Sequence, residues 1–137
     1  MNMITGLMVM IAILATSSLT ALADQKKAGI DECNKYTGLA GGYDCQCLAE
    51  AFFPLTNGFI YDPKTSSPCL SKEKLKTQIK AVKCEQTGRV AKFSLKKDLD
   101  CECYAEKYAK EIMGARSPSG MWSSIDISVK IMRQCAK

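Results

Sequence analysis

The sequence contains no histidine. That absence removes the commonest general base and metal ligand, and with it Ser-His-Asp and Cys-His nucleophilic centres and most zinc hydrolase arrangements. Tryptophan occurs once and aromatic residues make up 7% of the chain, which leaves little to build the platforms of a sugar-binding cleft. Charge is missing from the first 23 residues, MNMITGLMVMIAILATSSLTALA. There an apolar run from Gly6 to Ala15 gives way to Thr16-Ser17-Ser18, and Ala21-Leu22-Ala23 forms a small-x-small pattern. A signal peptide over residues 1–23 is expected, because the apolar core is shorter than the ~20 residues a spanning helix needs. No cysteine follows the expected cleavage point, so a lipid anchor has no attachment site there.

What the chain does have is cysteine. Cys33, Cys45, Cys47, Cys69, Cys84, Cys101, Cys103 and Cys135 all lie within the expected mature chain, Asp24 to Lys137, which is long enough for one domain and one core. An even cysteine count in a small exported chain reads as four disulfides, which places the protein in the periplasm or the extracellular space. Each bridge stabilises such a domain by roughly 2 to 4 kcal/mol. Pairing sequence neighbours gives Cys33 with Cys45, Cys47 with Cys69, Cys84 with Cys101 and Cys103 with Cys135. Eight cysteines allow on the order of a hundred arrangements, so the connectivity itself stays open.

Two stretches repeat: DCQCLAEAF from Asp44 and DCECYAEKY from Asp100. Cys33, Cys84 and Cys135 are spaced by 51 residues each time, CNKYTG at Cys33 resembles CEQTG at Cys84, and IKAVKC resembles KIMRQC. The expected plan is two tandem, degenerate helical units, about 24–83 and 84–137, with Cys69 the odd member. Cys-x-Cys is tighter than the usual redox or zinc-ligand spacing. Residues two apart on a helix point roughly 200 degrees from each other, so each sulfur should tie the same helix start to a different neighbour. Glu50 and Glu106 recur in the block and invite thoughts of paired carboxylate catalysis, but the sixth position after a capping aspartate is commonly a charged helix surface.

Helix signals dominate the rest and predict an all-α, disulfide-stapled domain of about five helices. Lys26 to Tyr36 is one, Asp44 caps a second that ends at Pro54, and Ser71 opens a third that carries Leu75, Ile79 and Val82 and ends near Gly88. Asp98 or Asp100 caps a fourth, and a fifth starts between Ser119 and Ser124, with Trp122, Ile125, Val129 and Met132 at helical spacing. Between Pro54 and Pro68 the turn pairs Asn57-Gly58 and Asp62-Pro63 flank Phe59-Ile60-Tyr61, and Asn57, Phe59, Ile60 and Tyr61 form a candidate partner-binding loop.

Charge is concentrated in Lys72 to Lys97, which carries plus seven, so the rest of the mature chain is minus two. Lys72, Lys76, Lys80, Lys83, Arg89, Lys92, Lys96 and Lys97 are the candidate basic surface, suited to anionic membranes or an acidic partner. Nucleic acid is disfavoured, since only Phe93 interleaves with these bases. The expected function is therefore an exported, non-enzymatic binding protein, such as an inhibitor or immunity-type protein that blocks a partner protein. Membrane or polyanion binding through residues 72–97 is the alternative, and cysteine-based redox or metal binding the second alternative. No cofactor, metal or catalytic residue is expected.

Overall fold

The computed structural model describes residues 19–51 and 67–137, and the chain is all-α, with no strand among the described residues. Helix α1 covers residues 19–33. It ends three residues before the predicted Tyr36, because Asn34 and Lys35 turn the chain while Cys33 is held by a disulfide. Gly38 then takes the left-handed conformation (φ +67°), which only glycine adopts without strain. The 3-10 turn Ala40–Gly42 packs against α3 so closely that a Cβ on Gly42 would lie 2.7 Å from Leu75 Cδ1.

Asp44 caps α2 (Cys45–Ala51) by accepting a bond from the Cys47 N–H. The predicted continuation of this helix to Pro54 lies outside the described residues. After a short 3-10 turn, Ser67–Cys69, the Ser71 side chain caps α3 (Lys72–Ile79). The chain does not leave the helix near Gly88. It passes through one π-helical turn, Lys80–Cys84, and continues as α4 (Glu85–Leu95) until Lys96 takes a left-handed cap (φ 57°). Glycine inside a helix costs ~1 kcal/mol against alanine, which the helical residues on either side of Gly88 overcome.

The π turn also overturns the predicted Leu75, Ile79, Val82 stripe. Leu75 and Ile79 are fully buried, but Val82 is 48% exposed. A π turn bonds five residues on and holds one residue more than an α turn, so Cys84 takes the inward position after Ile79. Seven residues further, Ala91 continues the buried stripe.

Helix α5 (Cys101–Gly114) is the centre of the fold, packed against α3 on one side and α6 (Pro118–Ser123) and α7 (Ile125–Cys135) on others. Tyr104, Ala105, Tyr108, Ala109 and Ile112 repeat at helical spacing and are fully buried. Tyr108 donates its phenol hydrogen to the Met121 and Trp122 carbonyls, at 2.9 and 2.8 Å, so this large core ring carries no unsatisfied polar atom. The predicted last helix is broken in two. Ser124 is extended, ends α6 and caps α7 through its hydroxyl, which leaves Ile125 exposed rather than on the core stripe.

Candidate functional site

The cysteines form four disulfides: Cys33 to Cys45, Cys47 to Cys69, Cys84 to Cys101 and Cys103 to Cys135. Their Cα separations of 5.5 to 5.9 Å are those of unforced bridges. At each Cys-x-Cys the first sulfur reaches back to the preceding helix and the second reaches forward. The backbone around them is arranged the same way twice. The Asp44 carboxylate accepts from Cys47 N–H and its own N–H donates to the Cys69 carbonyl at 2.8 Å; Asp100 accepts from Cys103 N–H and donates to the Cys135 carbonyl at 2.8 Å. Isolated bridges follow suit, Tyr43 with Leu70 and Leu99 with Ala136. Cys69 thus occupies in the first joint the place that Cys135 occupies in the second, and it is not the odd member that the spacing of 51 suggests.

The recurring glutamates part ways. Glu50 is exposed and accepts from the Gln46 side chain. Glu106 meets Lys72 and lies 3.0 Å from Lys76, while Glu102 lies 3.2 Å from Lys76 and also meets Lys80. Hydrogen bonds from Lys80 and Lys76 hold the Glu102 carboxyl below its ordinary pKa, and those from Lys72 and Lys76 do the same for Glu106. A carboxyl so held is a poor proton donor near neutrality. The spacing carries a signal that sequence reading missed: Glu102 and Glu106 are four apart, as are Lys72, Lys76 and Lys80, so two facing helices zip together.

The eight candidate basic residues therefore do not form one face. Lys72, Lys76 and Lys80 are matched by α5 carboxylates. Arg89 and Lys92 make only loose, exposed pairs with Glu85 and Asp98, at 3.4 and 3.8 Å. Lys96 sits over the exposed Phe93 ring, and Lys97 is exposed. Lys83 differs from all of them. Its ammonium lies 4.7 Å from the centre of the Trp122 ring and 5.2 Å from that of Tyr108, and it meets no carboxylate among the described residues. Burial pushes its pKa down, and burial likewise pushes the Tyr108 phenol up, helped by Tyr104.

Lys83 stands at one end of a groove of about 330 Å³ between α4 and the α6–α7 corner. Gln86, Thr87 and Val90 line one wall, and Ser123, Ser124, Ile125, Ser128 and Val129 the other, with Met132 buried below. Tyr104 and Ser128 hydroxyls share a 2.7 Å hydrogen bond beneath, and Tyr104 also receives one from Thr87, so these hydroxyls are paired. The rim is apolar and open: Ile125 is 76% exposed, Val90 47%, and Phe93, one turn along α4, 83%. The helical spacing of Trp122, Ile125, Val129 and Met132 does not reveal this groove, because the break at Ser124 turns Ile125 outward.

The candidate loop residues Asn57, Phe59, Ile60 and Tyr61 lie outside the described residues. No helix among the described residues is long and apolar enough to cross a membrane. No protein-family model matches the chain, and no curated protein or solved structure matches it.

Proposed function

We propose that the chain is an exported, non-enzymatic binding protein that holds a partner protein, in the manner of an inhibitor or immunity-type domain. The observation that carries this reading is the α4–α7 groove: a hydrogen-bonded floor, an apolar rim and one half-buried cation that meets no carboxylate among the described residues. Large exposed apolar side chains grouped on one face mark interaction sites. A surface held by four disulfides loses little entropy on binding. The absence of histidine, and the commitment of Glu102 and Glu106 to lysines, support a role without catalysis. All eight sulfurs are in disulfides, which sets the cysteine-based redox or metal reading behind this one.

Four disulfides are consistent with export. The charge-free first 23 residues support a cleaved signal, and residues 19–25 of α1 are exposed, so cleavage after Ala23 would take no described core residue. We read the two joints as a duplicated helical unit, on the strength of their matching hydrogen bonds. The second reading, membrane or polyanion binding, is favoured by one observation, Phe93 projecting among Lys92, Lys96 and Lys97, and is weakened by the pairing of Lys72, Lys76 and Lys80.

The test is affinity capture with the oxidised exported chain beside its Phe93→Asp/Ile125→Asp variant. One protein retained by the native chain and released by the variant is expected. A protein retained equally by both moves the binding face elsewhere, and no retained protein removes the reading.

A further inference from the structure

We infer that the α4–α7 groove takes a short acidic and apolar segment of a partner protein, whose carboxylate comes to Lys83 while its apolar side chains cover Val90 and Ile125. The inference rests on the binding-protein reading and adds the chemistry of the occupant. It starts from a contrast on one helix. Lys72, Lys76 and Lys80 each meet a glutamate of α5, whereas Lys83, the next lysine along, meets none among the described residues. Two aromatic rings hold its ammonium instead, and the residue lines the groove. A half-buried cation without a counter-ion has given up water without full return, and an incoming carboxylate completes it.

The remaining features select among anions. The Val90 and Ile125 rim offers apolar area that a free inorganic anion would leave wet. A second copy of the chain is disfavoured, because α4, which forms one wall, carries exposed Arg89 and Lys92 and is followed by exposed Lys96 and Lys97, and two such faces repel. A flat headgroup layer reaches Phe93, 83% exposed, more readily than the half-buried Lys83. A peptide segment with an acidic residue beside large apolar ones satisfies Lys83, the apolar rim and the basic α4 together, as in helix-in-groove recognition.

The experiment pans a phage-displayed library of short random peptides on the oxidised exported chain. Bound peptides are then compared on Lys83→Met, Lys83→Arg, Val90→Asp and Ile125→Asp, each checked for native circular dichroism; Lys83→Gln replaces any Lys83→Met protein that fails to fold. Recovered peptides should carry Asp or Glu next to large apolar residues, lose affinity about tenfold or more on Lys83→Met, keep most of it on Lys83→Arg, and fail on Val90→Asp and Ile125→Asp. Peptides without an acidic residue, or indifferent to Lys83→Met but sensitive to Val90→Asp, overturn the inference and leave the groove as a binding face. Peptides indifferent to all four substitutions overturn both. No enrichment overturns the inference, and so does binding to phosphatidylglycerol vesicles that Lys83→Met abolishes.

Discussion

The two halves of the long helix on either side of the π turn are similarly basic and meet opposite fates. Up to the first residue of the turn, Lys72, Lys76 and Lys80 face α5 and are matched by Glu102 and Glu106, while Leu75 and Ile79 are sealed beneath them. After it, Arg89, Lys92, Lys96 and Lys97 project outward, Val90 and Phe93 stay exposed, and Ala91 is the one fully buried residue. The difference teaches that a run of lysines is not itself a positive surface. What decides is whether a neighbouring helix brings carboxylates at the same four-residue spacing.

The bridge at the turn should matter most to this contrast. Cys84 is the residue that the π turn brings inward, and its bond to Cys101 ties both halves to α5. Replacing both by alanine should cost about 2 to 5 kcal/mol, read as a lower urea midpoint, and should uncouple α4 from α5 in amide exchange. An unchanged exchange pattern in α4 would show that packing alone sets the turn.

Next in size is a pair of truncations that sharpens the comparison. Ile79→Ala, before the turn and fully buried, should lose about 2 to 5 kcal/mol of stability by opening a cavity against α5. Val90→Ala, after the turn and half exposed, should stay within about 0.5 kcal/mol. Equal losses would mean that α4 is as tightly held as α3.

The helix caps at the joints come third. Asp44→Ala and Asp100→Ala each remove a carboxylate that accepts a backbone N–H of the following helix, and each should cost about 1 kcal/mol in denaturant titrations. Asp100 has an additional partner in Lys137, so its loss should be the larger of the two.

The smallest effect on stability, and the most specific, concerns charge. Glu102 and Glu106 are held below the ordinary glutamate value of 4.5, so the unfolded chain binds more protons than the folded one below that pH. Their contribution is complete above pH 4.5 and is lost as pH falls through their lowered folded values. Glu102→Gln/Glu106→Gln should flatten stability against pH in that acid window and leave the slope near neutrality unchanged. The same variant frees Lys72, Lys76 and Lys80, so retention on a heparin column should move to higher salt. Unaltered retention would mean that the pairs do not mask the lysines.

Much of the helical plan was legible because it is local. Ser71, Asp44 and Asp100 cap helices where their side chains invite it, and the alternation of Tyr104, Ala105, Tyr108, Ala109 and Ile112 needs only the 3.6-residue period. The predicted stop near Gly88 failed because a glycine penalty of ~1 kcal/mol is smaller than what tertiary packing supplies. The stripe of Leu75, Ile79 and Val82 and the set Trp122, Ile125, Val129 and Met132 each assume an uninterrupted helix. One π turn and one extended serine shift the register, and neither leaves a mark in the hydrophobic pattern.

By itself the sequence determined the helical class, the exclusion of histidine chemistry, and the divergence of the two sulfurs at each Cys-x-Cys, since these depend on residue type and helix pitch alone. Only the tertiary structure decided that Cys69 corresponds to Cys135, that three lysines are neutralised while Lys83 is not, and that a groove opens beside it. Those outcomes depend on which helices are neighbours and at what rotation, and both follow from packing around α5 rather than from any single segment.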